Sequence, residues 1–128
     1  MRLTLSLLLM LAVTPATAQT YKQRLAAMVA VVNTGELECG LKPNMGEYQR
    51  YIARAGEDGL HILIAAEQAR QRVQGKKVDA LIVVNDPEVE AAVGQMMGEL
   101  NNDRRKNGKA AMCTMIEALM KFQLGVLR

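Results

Sequence analysis

Cys39 and Cys113 are the only thiols in this chain, and His61 is its only imidazole. Serine occurs once, at position 6, so no Ser-His-Asp triad can be assembled from the rest of the chain. A Cys-His pair would require His61 beside a reduced cysteine. No C-x-x-C motif is present, and a His/Cys zinc site lacks ligands. No glycine-rich phosphate loop follows a strand pattern. Glu47, Glu67, Glu88, Glu90, Glu99 and Glu117 all fall where a helix cap or a solvated face accounts for them. These residues therefore yield no catalytic constellation and no cofactor, and the chain reads as non-enzymatic.

Two softer chemistries remain. Met96, Met97, Met112 and Met115 form a thioether-rich set of the kind that binds Cu(I), which makes a methionine-based copper carrier the alternative function. The same methionines recur at helical spacing, where unbranched side chains fill cores poor in aromatic residues. Arg104, Arg105, Lys106 and Lys109 form a basic cluster that could meet an acidic partner. Its structural reading is a solvated turn with cations at a helix C-terminus.

The elements that must position these residues begin after residue 18. Met1-Arg2 is a short positive start, positions 3–13 are apolar and uncharged, and Ala16-Thr17-Ala18 is a small-residue end of the A-x-A type. This reads as a secretory signal peptide over 1–18, too short to cross about 30 Å of hydrocarbon. Residues 19–128 then form one helical domain in the periplasm or outside the cell. In an oxidising compartment the two cysteines are expected to bridge. Closing a loop of roughly 75 residues stabilises a fold by about 4 kcal/mol on the chain-entropy model. Loss of Arg2 lowers the formal charge from +3 to +2, too balanced to imply a nucleic-acid partner.

Tyr21, Leu25, Met28, Val29 and Val32 form a helical stripe, with Gly35 a plausible stop. Asn44 and Glu47 have capping-box spacing before a second helix ended by Gly56. Asp58 is read as the cap of a third helix, apolar nearly all round in its first half and so expected to be the most buried element. His61 on that helix is expected to be a hydrogen-bonded packing residue. Positions 78–84 are β-branched and apolar; a short helix is preferred there, because a lone strand would need a partner from another subunit. Asp86-Pro87 starts the clearest helix, with Val89, Ala92, Val93, Met96, Met97 and Leu100 on one face. Gly94 and Gly98 on it would admit a close backbone. A polar break over 101–108 and a last helix over 109–124, ended by Gly125, complete the pattern.

The expected fold is thus an all-α bundle of five or six short helices closed by Cys39–Cys113. The expected function is an exported protein–protein interaction module, such as an inhibitor, an immunity-like factor or an accessory subunit. A copper carrier and a small periplasmic stress chaperone are the alternatives. The partner is an unknown protein of the envelope or the exterior, no transmembrane segment follows residue 18, and the oligomeric state stays open.

Overall fold

The computed structural model describes residues 19–123. Among them are five α-helices: α1 (Tyr21–Cys39), α2 (Met45–Ala53), α3 (Gly59–Val73), α4 (Pro87–Asn107) and α5 (Lys109–Ala118). A 3₁₀ turn, Gly56–Asp58, leads into α3, and a π turn, Leu119–Gln123, continues α5. No β-strand occurs among the described residues, and no described helix is long and apolar enough to cross a membrane. The molecule is a small all-α bundle, closed by a disulfide between Cys39 and Cys113 whose Cα atoms lie 5.6 Å apart. The expected signal peptide and the stop at Gly125 lie outside the described residues.

The central element is α1, which packs on α3, α4 and α5. Leu25 to Val32 are buried without a break, together with Thr34 and Gly35. A helix covered on several sides must be apolar on several sides, and this run of Ala, Val and Met meets that need. The expectation that the third helix is the most buried therefore fails. α3 buries Ile62, Ala65, Ala66 and Ala69 but leaves Leu60 and Ile64 exposed.

Gly35 does not stop α1. The helix runs on to Cys39, and Gly40, at φ 65°, provides the left-handed exit. Gly35 instead admits α5: a Cβ placed there would lie 2.9 Å from Ile116 Cγ2 and 3.0 Å from Met120 Sδ. Gly94 and Gly98 show no such approach, since a Cβ at either would meet nothing within 4 Å.

Capping is a mixture of agreement and correction. Asn44 accepts from Glu47 N, and Asp86 accepts from Glu88 N and Val89 N above the N1 proline, as the spacing predicts. Asp58 sits in helical geometry and makes no side-chain cap, because the 3₁₀ turn already leads the chain into α3. The expected break over 101–108 is confined to its end. α4 continues through the polar residues to Asn107, and only Gly108, at φ 94°, turns the chain.

The largest correction concerns 78–84, which is neither helix nor strand but an irregular connection with a bend at Leu81–Ile82. Chain direction sets the distance this link must cover. At one end of the bundle Asp86, the cap of α4, meets Lys22 near the start of α1 and His61 near the start of α3. At the other end Glu38 of α1 meets Gln74, just past α3, and Arg104 near the end of α4. α1, α3 and α4 therefore run in the same direction, so the link from α3 to α4 must travel back along the bundle. Lys22 to Glu38 spans about 24 Å of helix, whereas the twelve steps from Gln74 to Asp86 would cover only about 18 Å if wound as an α-helix. A fully helical link is too short, and within the slack that remains the Gln68 side chain takes the Ile82 carbonyl and the Val84 N–H, groups that a helix over 78–84 would use for its own bonds.

Candidate interaction surface

α3 builds the surface that the extended link completes. Gln68 is buried, and its side-chain amide acts as a clamp: Nε2 donates to the Ile82 carbonyl at 2.8 Å, and Oε1 accepts from Val84 N at 2.7 Å. One turn further on, Arg72 donates to the Val84 carbonyl at 3.0 Å and pairs with Glu90 of α4 at 2.7 Å. The clamp supplies what a neighbouring strand would otherwise supply on one edge.

Held in this way, the link packs Val84 against the core and turns the three residues before it outward. Leu81 is fully exposed, Ile82 is 74% exposed and Val83 56%. Leu60 and Ile64, one turn apart on α3, are exposed as well. A groove of about 320 Å³ lies between α3 and the link, lined by Leu63, Ile64, Gln68 and Gln71 from α3, by Val78, Asp79 and Ala80, and by Asn33 and Glu67 beneath.

The polar groups that α1 and α3 contribute to this groove, Asn33, Glu67, Gln68 and Gln71, are engaged internally. Arg70, 2% exposed, grips both Glu67 oxygens, Nε to Oε2 at 2.9 Å and Nη2 to Oε1 at 2.7 Å, and reaches Gln74 with Nη1. Asn33 and Gln71 also donate to Glu67. Partial burial pushes the Glu67 carboxyl up, but the hydrogen bonds from Arg70 and Asn33 outweigh it and hold the group below its ordinary range. Apart from the Asp79 carboxylate, which has no partner among the described residues, the groove offers mainly apolar contact, which suits a protruding side chain better than a polar small molecule.

The other residues singled out by sequence fall elsewhere. His61 is exposed, not packed, and its Nε2 lies 2.9 Å from Asp86 Oδ2. Lys22 Nζ shares that oxygen at 2.8 Å and sits 3.5 Å from Glu88. The hydrogen bond from Lys22, with those from His61 and Val89 N, holds the Asp86 carboxyl well below the usual carboxylate range. Within the basic cluster, Arg104 turns back to Glu38 at 2.8 Å and Arg105 to Asn102, while Lys106 and Lys109 are exposed at the α4–α5 corner. Met97 and Met112 belong to the common apolar core, and Met96 and Met115, half-buried, pack against it. Met97 and Met112 are fully buried, with Thr34 Oγ1 3.6 Å from Met97 Sδ. Met96 lines a second cleft of about 280 Å³ with Ala27, Met28, Val31 and Leu119. Both cysteines are oxidised, so neither supplies a thiolate to His61.

Sequence reasoning missed Gln68, Arg72 and the Thr20 cap. Only the last has a local signature: Thr20 and Gln23 form a reciprocal capping box at T-x-x-Q spacing. No protein-family model matches the chain, and no curated protein or solved structure is significantly similar to it.

Proposed function

We propose that the protein is an exported, non-enzymatic interaction module whose docking face comprises Leu60, Ile64 and the Leu81–Val83 segment. The observation that carries this reading is the outward display of three consecutive large apolar side chains on backbone that Gln68 and Arg72 hold in place. Left in water, such a patch is unfavourable; covered by a partner, it contributes roughly 25 cal/mol for each Å² buried. Its backbone is already ordered, so association carries less of the entropy loss that a free loop would impose. The Cys39–Cys113 bridge is compatible with export, since disulfides persist in oxidising compartments.

Site-specific photo-crosslinking tests the reading. A crosslinking residue at Leu81 in the full-length chain, expressed in its native cells, should give a discrete protein adduct. The same group at Glu99, exposed on α4, should not. Equal labelling from both positions, or none from Leu81, would remove the docking face.

A further inference from the structure

Resting on that docking face, we propose that its occupant is a second copy of this chain, paired antiparallel through Val83 about a two-fold axis. Gln68 takes the Ile82 carbonyl and the Val84 N–H, two groups that lie on one side of an extended chain. Alternation then turns the N–H and carbonyl of the intervening Val83 to the other side. Neither has a hydrogen-bond partner among the described residues. In an antiparallel pair, a residue on the symmetry axis exchanges both of its backbone bonds with its own copy. Val83 is placed to do so, with a donor and an acceptor on the open edge.

Charge and area point to the same occupant. Positions 80–85 read Ala-Leu-Ile-Val-Val-Asn, so apposing the segment with itself sets no like charges across the axis. Leu60, Ile64, Leu81, Ile82 and Val83 together present on the order of 500 Å² of largely apolar surface, at the upper end of patches found on monomers. Two such faces in contact would bury about 1,000 Å², the lower bound for a specific interface. An interface at that bound fits a dimer in equilibrium with monomer at micromolar concentrations rather than an obligate one.

The test uses protein expressed from the full chain, purified without reductant and followed by sedimentation equilibrium from low micromolar to high micromolar concentration. A monomer–dimer equilibrium is expected. Val83→Pro, which removes the edge donor while keeping an apolar side chain, and Ile82→Asp, which places like charges beside the axis, should each weaken dimerisation at least tenfold. Both positions are exposed, so the thermal unfolding of each variant as monomer should match that of the parent, which separates lost pairing from lost folding. A monomer throughout the range, or dimerisation indifferent to both substitutions, overturns the proposal. If the purified protein is monomeric yet Leu81 crosslinks to a different protein in cells, the second copy is refuted and the docking face stands. If neither association nor adduct is found, both readings fall.

Discussion

Gln68 is the residue on which the exposed link depends most directly, and replacing it with leucine removes both clamp bonds while nearly preserving volume. Each bond contributes about 1 kcal/mol net, because the freed Ile82 carbonyl and Val84 N–H can turn to water. The substitution should therefore ease opening of the link by about 2 kcal/mol, or roughly thirty-fold in the local equilibrium. Amide hydrogen exchange reads this at a single position. Val84 N–H, held only by Gln68 Oε1, should exchange about thirty times faster. Val93 and Leu100, on the buried face of α4, should change far less. The remaining bond from Arg72 to the Val84 carbonyl keeps the segment near α3 and sets an upper limit on the effect. If Val84 exchanged at its original rate, the clamp would hold nothing. If it accelerated only in step with the core amides, the loss would be one of global stability and not of the link.

Three further outcomes follow from the packing. Gly35→Ala should lower stability by about 1–2 kcal/mol in urea denaturation, because overpacking against the rigid Ile116 methyl outweighs a helix-propensity gain of about 1 kcal/mol. Replacing Cys39 and Cys113 together with alanine should lower the melting temperature sharply, since opening a loop with sequence separation 74 corresponds to about 4 kcal/mol on the chain-entropy model. Asp86 contributes stability above the unfolded carboxylate pKa of about 3.9, and that stability is lost as pH falls toward its depressed folded value. Asp86→Asn keeps a good N-cap but loses the charge facing Lys22 and His61, so it should cost about 1 kcal/mol at pH 7 and flatten the acid limb of stability measured between pH 5 and 2.

What the sequence made legible is what local chemistry decides. The Asn44 and Asp86 caps, the α4 stripe and the bridge between two cysteines need only neighbouring residues or simple pairing. The misreadings arise where tertiary position takes over. Gly35 resembles a stop locally but marks a helix crossing, because Ile116 arrives from 81 residues further along the chain. The continuous apolar run of α1 announces a central helix only once three neighbours are known to surround it. A lone histidine in an apolar helical run reads as a hydrogen-bonded packing residue; His61 is hydrogen-bonded, but it lies exposed at the bundle end, against the Asp86 carboxylate. Gln68 has no motif at all: a glutamine on a helix is ordinarily a surface residue, and only the link lying over it turns its amide into a backbone partner.

The candidate surface itself follows from a length mismatch. With α1, α3 and α4 parallel, the link must retrace most of the bundle from Gln74, tied to Glu38, to Asp86, tied to Lys22. Twelve steps of extended chain could reach about 40 Å, against the roughly 24 Å required, so there is slack for one bend but not for a full helix. The bend falls at Leu81–Ile82, and the chain emerging from it is met by Gln68 on one edge only. A β-branched apolar stretch is well suited to extended backbone and poorly suited to water. Its composition therefore satisfies the geometry of the crossing and leaves its hydrophobic surface unsatisfied. A polar link rich in Gly, Asn and Ser would cover the same distance without that penalty. The choice of Leu, Ile and Val at three exposed positions is unexplained by the fold of one copy, and the proposed docking face would account for it.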